Sequence, residues 1–164
     1  MNVKKIPLCF DVSDEKRGYV IQNLQESKAF EGYCIKDIVI QSINPNKCRG
    51  YHSHKEKTEW FMALMGRAKL ITTTKTADVV PKPDDLEIYT FESDCLKPKY
   101  VYMIPPNLGH FVVNDSKEEV FVMESFSNKE HKTEEDISYK KDVWGPIIKD
   151  RLKQCASTSL SDEK

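Results

Sequence analysis

Gly50-Tyr51-His52-Ser53-His54-Lys55-Glu56-Lys57-Thr58-Glu59 is the stretch that decides the fold, with Gly66 following after six further residues. On a β-strand, side chains at i and i+2 share a face, so His52 and His54 project together. Residues 55–58 read as a short turn, after which the next strand can bring Glu59 back to the same face. Gly66 suits a hairpin turn before the strand expected over residues 68–74. Two imidazoles and a carboxylate that converge in this way form a site for a divalent metal.

A second motif lies downstream: Ile104-Pro105-Pro106-Asn107-Leu108-Gly109-His110, then three residues, then Asn114. A strand ends at the Pro-Pro turn and the next begins at His110. If that strand neighbours the first motif across a small barrel, His110 supplies a fourth ligand. The chain has only four histidines, and three of them fall in these two motifs. The fourth, His131, sits in the charged run NKEHKTEED and reads as a solvated bystander.

Outward from the motifs the chain is a succession of short strands. Residues 33–43, 59–64, 68–74, 86–91, 100–104, 110–113 and 120–126 are rich in β-branched and aromatic residues and too short for helices. Turn chemistry separates them at Asn44-Pro45-Asn46, at 81–85, at Pro105-Pro106-Asn107 and at Asn114-Asp115-Ser116. Two helices are expected: a weak one around 23–30, and one over 146–154 with Pro146 at its first position and Ile147, Ile148 and Leu152 on one face. Many short, evenly spaced strands argue for an all-β sandwich or barrel. One domain is expected over residues 1–155, and the small polar residues 156–164 read as a disordered tail.

Composition narrows the function. The 164 residues include 25 Lys+Arg and 26 Asp+Glu, a net charge of -1. That balance gives no footprint for nucleic acid. Mean hydropathy is -0.57, and no apolar run approaches the ~18 residues that a spanning helix needs. The N-terminus lacks the ~7–15-residue apolar region of a secretory signal. Five cysteines, odd in number and without a CxxC pair, fit a reducing cytoplasm better than a disulfide framework. Tyr51, Trp60 and Phe61 read as core. Glu92, Asp94 and Tyr102 are candidates for the barrel mouth.

The two motifs resemble those of the cupins, HxHx(3–4)Ex(6)G and PxGxxHxxxN. The first is matched in full; the second has Asn107 where glycine is usual, and asparagine tolerates the left-handed conformation. The resemblance implies a single jelly roll, or double-stranded β-helix, with a short C-terminal helix and a metal inside the barrel. Asp14-Glu15-Lys16-Arg17-Gly18, Cys48-Arg49-Gly50-Tyr51-His52 and the closing residues 137–142 resemble the RmlC-type sugar-nucleotide epimerases and ketoisomerases. The pattern RGxHxH with a glutamate and IPPxxxH is nearest to the zinc-bearing cupin domain of capsule-sugar reductases.

This likeness implies a homodimer that epimerises or isomerises a nucleotide-linked 4-keto sugar. His52 would be catalytic and Arg49 would contact an anionic part of the substrate. One divalent ion (zinc, iron, manganese or nickel) would be held by His52, His54, Glu59 and His110. Two departures stand out. No tyrosine follows the strand at 120–126, where the epimerases carry their acid, and Glu59 stands where the ketoisomerases usually have glutamine. A metal-dependent cupin oxygenase and a non-catalytic sugar-nucleotide-binding cupin are the alternative readings.

Overall fold

The structure, a computed structural model, describes residues 2–8, 11–14, 18–20, 28, 30–94, 97–98, 100–130 and 136–159. Twelve strands precede one helix in this set: β1 (Lys4–Pro7), β2 (Asp11–Asp14), β3 (Gly18–Val20), β4 (Asp37–Ile43), β5 (Lys47–His54), β6 (Glu59–Thr73), β7 (Glu87–Asp94), β8 (Lys97–Pro98), β9 (Tyr100–Ile104), β10 (Gly109–Asn114), β11 (Phe121–Ser127), β12 (Asp136–Ser138) and α1 (Lys141–Ser159). All pairings are antiparallel. One sheet runs β1-β9-β6-β11-β4. The other runs β12-β5-β10-β6-β7-β8. β2 and β3 form a separate ribbon. This is the expected all-β jelly roll with a C-terminal helix. The weak helix expected around 23–30 lies almost wholly outside the described residues, as do three residues of the Asp14–Gly18 turn.

β6 belongs to both sheets, and here the structure corrects the sequence reading. Gly66 does not turn a hairpin between two strands; a single 15-residue strand runs through it. The half before Gly66 pairs with β9 and β11, and the half from Gly66 onward pairs with β7 and β10. Against β11 the register skips Leu64, because Ala63 faces Met123 while Met65 faces Val122. Such a bulge lets one strand turn the corner between packed sheets. Gly66 has φ +81°, and a Cβ there would stand 3.1 Å from the Val120 carbonyl oxygen. A left-handed glycine thus reads alike in sequence whether it closes a hairpin or bends a strand.

Alternation along β6 builds two cores at once. Phe61 and Ala63 point between the sheets with Leu70, Phe91, Tyr102 and Phe121. Trp60 and Met62 point outward, where Phe30, Val101, Met103 and Phe126 cover them. Burial on both faces explains the nearly unbroken apolar run EWFMAL.

On the outer face of the second sheet, α1 packs Trp144 and Ile148 over Ile71, Phe111 and Tyr139. The helix begins five residues before the expected Pro146, at Lys141. Val143 N and Trp144 N both donate to the Lys140 carbonyl, at 3.1 and 2.9 Å. Burying Trp144 favours that early start. Pro146 lies inside the helix, where it forfeits the bond its N–H would have given the Asp142 carbonyl. The helix also continues through 156–159, where composition suggests a tail, and residues 160–164 lie outside the described set. β4 likewise starts later than residue 33, at Asp37. Among the described residues, no helix is long and apolar enough to cross a membrane.

Gly66→Ala is expected to cost about 1–3 kcal/mol through its left-handed backbone, which for a chain of this size lowers Tm by roughly 2–4 °C per kcal/mol. A thermal melt checks this; an unchanged Tm would show that the bend does not depend on glycine.

Candidate functional site

The odd spacing of Arg49 and His52 would put their side chains on opposite faces of a regular strand. The register of β5 against β10 removes that conflict. His52 faces His110, Gly50 faces Phe111 and Arg49 faces Val112, so Tyr51 is an extra residue with no partner of its own. Gly50 and Tyr51 both have positive φ, 93° and 63°. A Cβ on Gly50 would meet the His110 carbonyl oxygen at 2.5 Å, so only glycine fits. Because His110 and Val112 share a face of β10, Arg49 and His52 share the facing one. Tyr51 is thrown outward onto Phe111, with ring centroids 5.1 Å apart.

His54 follows on the same face as His52. Glu59 reaches them from the first sheet, after residues 55–58 have crossed from β5 to β6, which do not pair with each other. Asn107, left-handed as expected with φ 61°, pins this crossing: its N–H donates to the His54 carbonyl at 2.7 Å. One potential ligand atom from each of His52, His54, Glu59 and His110 lies within 4.8 Å of the others. All four residues singled out in the two motifs therefore meet at one point.

The hydrogen bonds around the cluster fix which ring nitrogens carry protons. His110 Nδ1 donates to the Leu108 carbonyl at 3.0 Å. His54 Nδ1 donates to Asp136 Oδ1 at 2.5 Å. The Nε2 lone pairs of both rings then point at one oxygen, Glu59 Oε2, at 3.1 and 3.2 Å. Both Nε2 atoms are buried without a hydrogen bond. Lone pairs facing a carboxylate oxygen repel unless a proton or cation lies between them. Ligands on adjacent positions around a ~2.1 Å metal–nitrogen bond stand about 3 Å apart, which is the spacing here. Three imidazoles and one carboxylate suit a borderline divalent ion, so this cluster could hold one.

Burial and the neighbouring imidazoles set the protonation states. Burial alone would raise the Glu59 carboxyl, but when His110 and His54 carry a proton on Nε2 their hydrogen bonds and charge outweigh burial and hold it well below its ordinary range. His52 is lowered to about 3, first by burial and then by the charges that His110 and His54 can carry. At neutral pH the site is thus a carboxylate facing a neutral His52.

His52, Glu59 and His110 line a cleft of about 1000 Å³ together with Val39, Gln41, Arg49, Lys57, Val112 and Ser125, and His54 is buried behind them. Arg49 stands exposed at the mouth, where its Nε donates to the Ser42 carbonyl at 3.1 Å. Phe61 is core, 5.6 Å from the His110 ring, and Trp60 is fully buried on the outer face. Tyr102 is buried with its hydroxyl donating to the Thr90 carbonyl, and Glu92 pairs with Arg67 at the surface, so neither lines the cleft. His131 and the Asp94 side chain lie outside the described residues. Two residues were not singled out from sequence. The charged run that ends at Asp136 reads as a solvated loop, but Asp136 begins β12 and orients His54 from 82 positions away, which no spacing signals. Lys57, 3.1 Å from Glu59 Oε1, lies in the stretch 55–58, whose sequence reads only as a short turn.

Both shifted groups make the chelator-treated protein less stable in acid. His52 takes up a proton near 6.5 when unfolded but only near 3 when folded, so stability falls as pH drops through that window. Glu59, held below 4.5, adds stability that is lost as pH falls below that value. Denaturant titrations should show His52→Gln flattening the slope between about pH 4.5 and 6.5; an unchanged slope would contradict the assigned burial.

The chain's residues 15–154 match the family model described as Cupin. No curated protein matches the sequence. Among solved structures, the fold is similar to a sugar 3,4-ketoisomerase from Thermoanaerobacterium thermosaccharolyticum in complex with TDP, at 20% identity and TM-score 0.64, covering 93% of this chain and 96% of that one. It is also similar to a TDP-fucose-3,4-ketoisomerase from Campylobacter jejuni, at 15% identity and TM-score 0.63, covering 87% and 92%. A dTDP-6-deoxy-D-glucose-3,5-epimerase from Legionella pneumophila, in complex with dTDP-4-keto-L-rhamnose, matches at 14% identity and TM-score 0.63, covering 83% and 71%. These likenesses show a shared barrel fold, and with the family model matched over most of its length the chain belongs to the cupins.

Proposed function

We propose that this cupin isomerises or epimerises a nucleotide-linked 4-keto sugar, with one divalent metal held by His52, His54, Glu59 and His110. The observation that carries the reading is the convergence of those four side chains at a cleft that Arg49 lines from the same strand face as His52. Structural neighbours are described as TDP-sugar ketoisomerases and an epimerase. Among the described residues Cys34, Cys48 and Cys155 are free, which fits a cytoplasmic setting.

The reaction removes a proton from the carbon beside a ketone and returns it elsewhere. The metal, when bound, supplies a Lewis acid for the ketone oxygen. Arg49 offers a planar guanidinium fork to the diphosphate, and its bond to Ser42 O orients that fork before substrate arrives. His54 and His110 are held as Nε2 lone-pair donors by Asp136 and Leu108. His52 serves catalysis through its own lone pair. That pair cannot bind a cation and accept a proton together, and a pKa of about 3 suits the ligand better than the base. The proton acceptor is then a separate group on the cleft wall.

One observation favours the alternative of a non-catalytic sugar-nucleotide-binding cupin. Among the described residues lining the cleft, Tyr51 is the only tyrosine, and its ring packs outward on Phe111. Deuterium wash-in beside the ketone of thymidine-, uridine- and guanosine-linked keto-sugars separates the two. Exchange is expected with at least one. Arg49→Ala should lower kcat/KM roughly ten- to a hundred-fold, the worth of a charge-assisted contact, and His52→Ala should abolish turnover. Tight binding without exchange would transfer the reading to the binding module.

A homodimer completes the proposal. β4 pairs only with β11 among the described strands, and its outer face exposes Ile38 at 58% and Ile40 at 67%. An apolar open edge of this kind favours covering by a second copy. Light scattering should report twice the 19.0 kDa chain mass, and Ile40→Glu should shift it toward monomer. A wild-type value equal to one chain would contradict the dimer.

A further inference from the structure

Lys57 is out of place for its surroundings. It belongs to the charged run Lys55-Glu56-Lys57, whose first two members are exposed, yet its own side chain is only 6% exposed. Lysine is almost never buried without a partner, because the ammonium loses its hydration. The backbone offers it no freedom to turn away. Thr58 N donates to Asn128 Oδ1 at 2.9 Å, and Asn107 Nδ2 donates to the Lys55 carbonyl at 3.3 Å. The crossing between β5 and β6 is therefore tied down on both sides of Lys57.

The ammonium is spent on one atom, Glu59 Oε1, at 3.1 Å. The other oxygen, Oε2, is the one that faces His54 and His110. The two oxygens thus have separate duties. We propose that Lys57 is a positioning residue that takes Oε1 and leaves Glu59 to bind the metal through Oε2 alone. The proposal rests on reading the cluster as a metal site. To chelate through both oxygens, Glu59 would have to turn Oε1 toward the ion and either give up the ammonium or draw it against a second cation. Holding the carboxylate to one oxygen keeps the protein at four ligand atoms and leaves the remaining positions for solvent or a substrate oxygen.

An ion pair that merely braced the crossing would leave the binding mode of Glu59 untouched, so the test reads that mode directly. A carboxylate bound through one oxygen has widely separated symmetric and antisymmetric stretches; one bound through both has them close together. Infrared difference spectra of the full chain, zinc-loaded minus chelator-treated, should show a widely split pair in wild type that vanishes in Glu59→Gln. Lys57→Met should bring the pair together, and Lys57→Arg should keep it wide. A narrow pair in wild type would overturn the proposal without any Lys57 variant, so it stays falsifiable even if the methionine protein does not fold. The same splitting in Lys57→Met as in wild type would also overturn it. Zinc titration runs alongside: one equivalent bound with the wrong splitting refutes the role of Lys57 alone, whereas no bound zinc removes the metal reading and the proposal together.

Discussion

One carboxylate oxygen facing two imidazole lone pairs is the contact around which the rest of this molecule is arranged. Glu59 Oε2 comes from one sheet, and His54 and His110 Nε2 come from the other. Such a meeting is unfavourable by itself, since lone pairs and an anionic oxygen repel at this distance. It persists because each group is held from behind. Asp136 and the Leu108 carbonyl hold the far nitrogens of the two rings, and Lys57 holds the far oxygen of the carboxylate. The outer partners make the inner atoms into donors with a defined direction, which is how protein metal sites are ordinarily tuned.

Two departures from strand regularity make the meeting possible. β6 bends at Gly66 and joins both sheets, so the strand that begins with Glu59 in one layer ends beside His110 in the other. The bulge at Gly50–Tyr51 rotates the alternation of β5 by one residue. Without it Arg49 would leave the cleft face that His52 occupies. Both departures rest on left-handed glycines, and at Gly50 the approach of the β10 backbone leaves no space for a side chain.

Much of this was legible in the sequence. The period-2 spacing of His52 and His54, the short crossing to Glu59, and the Pro-Pro turn before His110 put four side chains able to ligate a metal in reach of one another, and the structure brings them together. The Gly50 that separates Arg49 from His52 permits the bulge that the structure shows there. Gly66 was open to misreading because a left-handed glycine suits a hairpin and a strand bend equally, and only long-range pairing decides between them. Asp136 was invisible because its contact is made across the sheet, with no local pattern. Lys57 was hidden by its charged neighbours: composition describes a run, whereas burial is decided residue by residue. The helix start was missed because Pro146 is a good first residue, and the packing of Trp144 outweighed that local preference.

The central claim is that these four side chains share one metal ion. Anomalous diffraction from crystals of the purified full chain, with data collected on both sides of the absorption edge of each candidate metal, tests it most directly. The account predicts a single peak within bonding distance of His52, His54, Glu59 and His110. No peak there after reconstitution with each metal, or a Glu59 carboxylate turned away from the histidines, would contradict it.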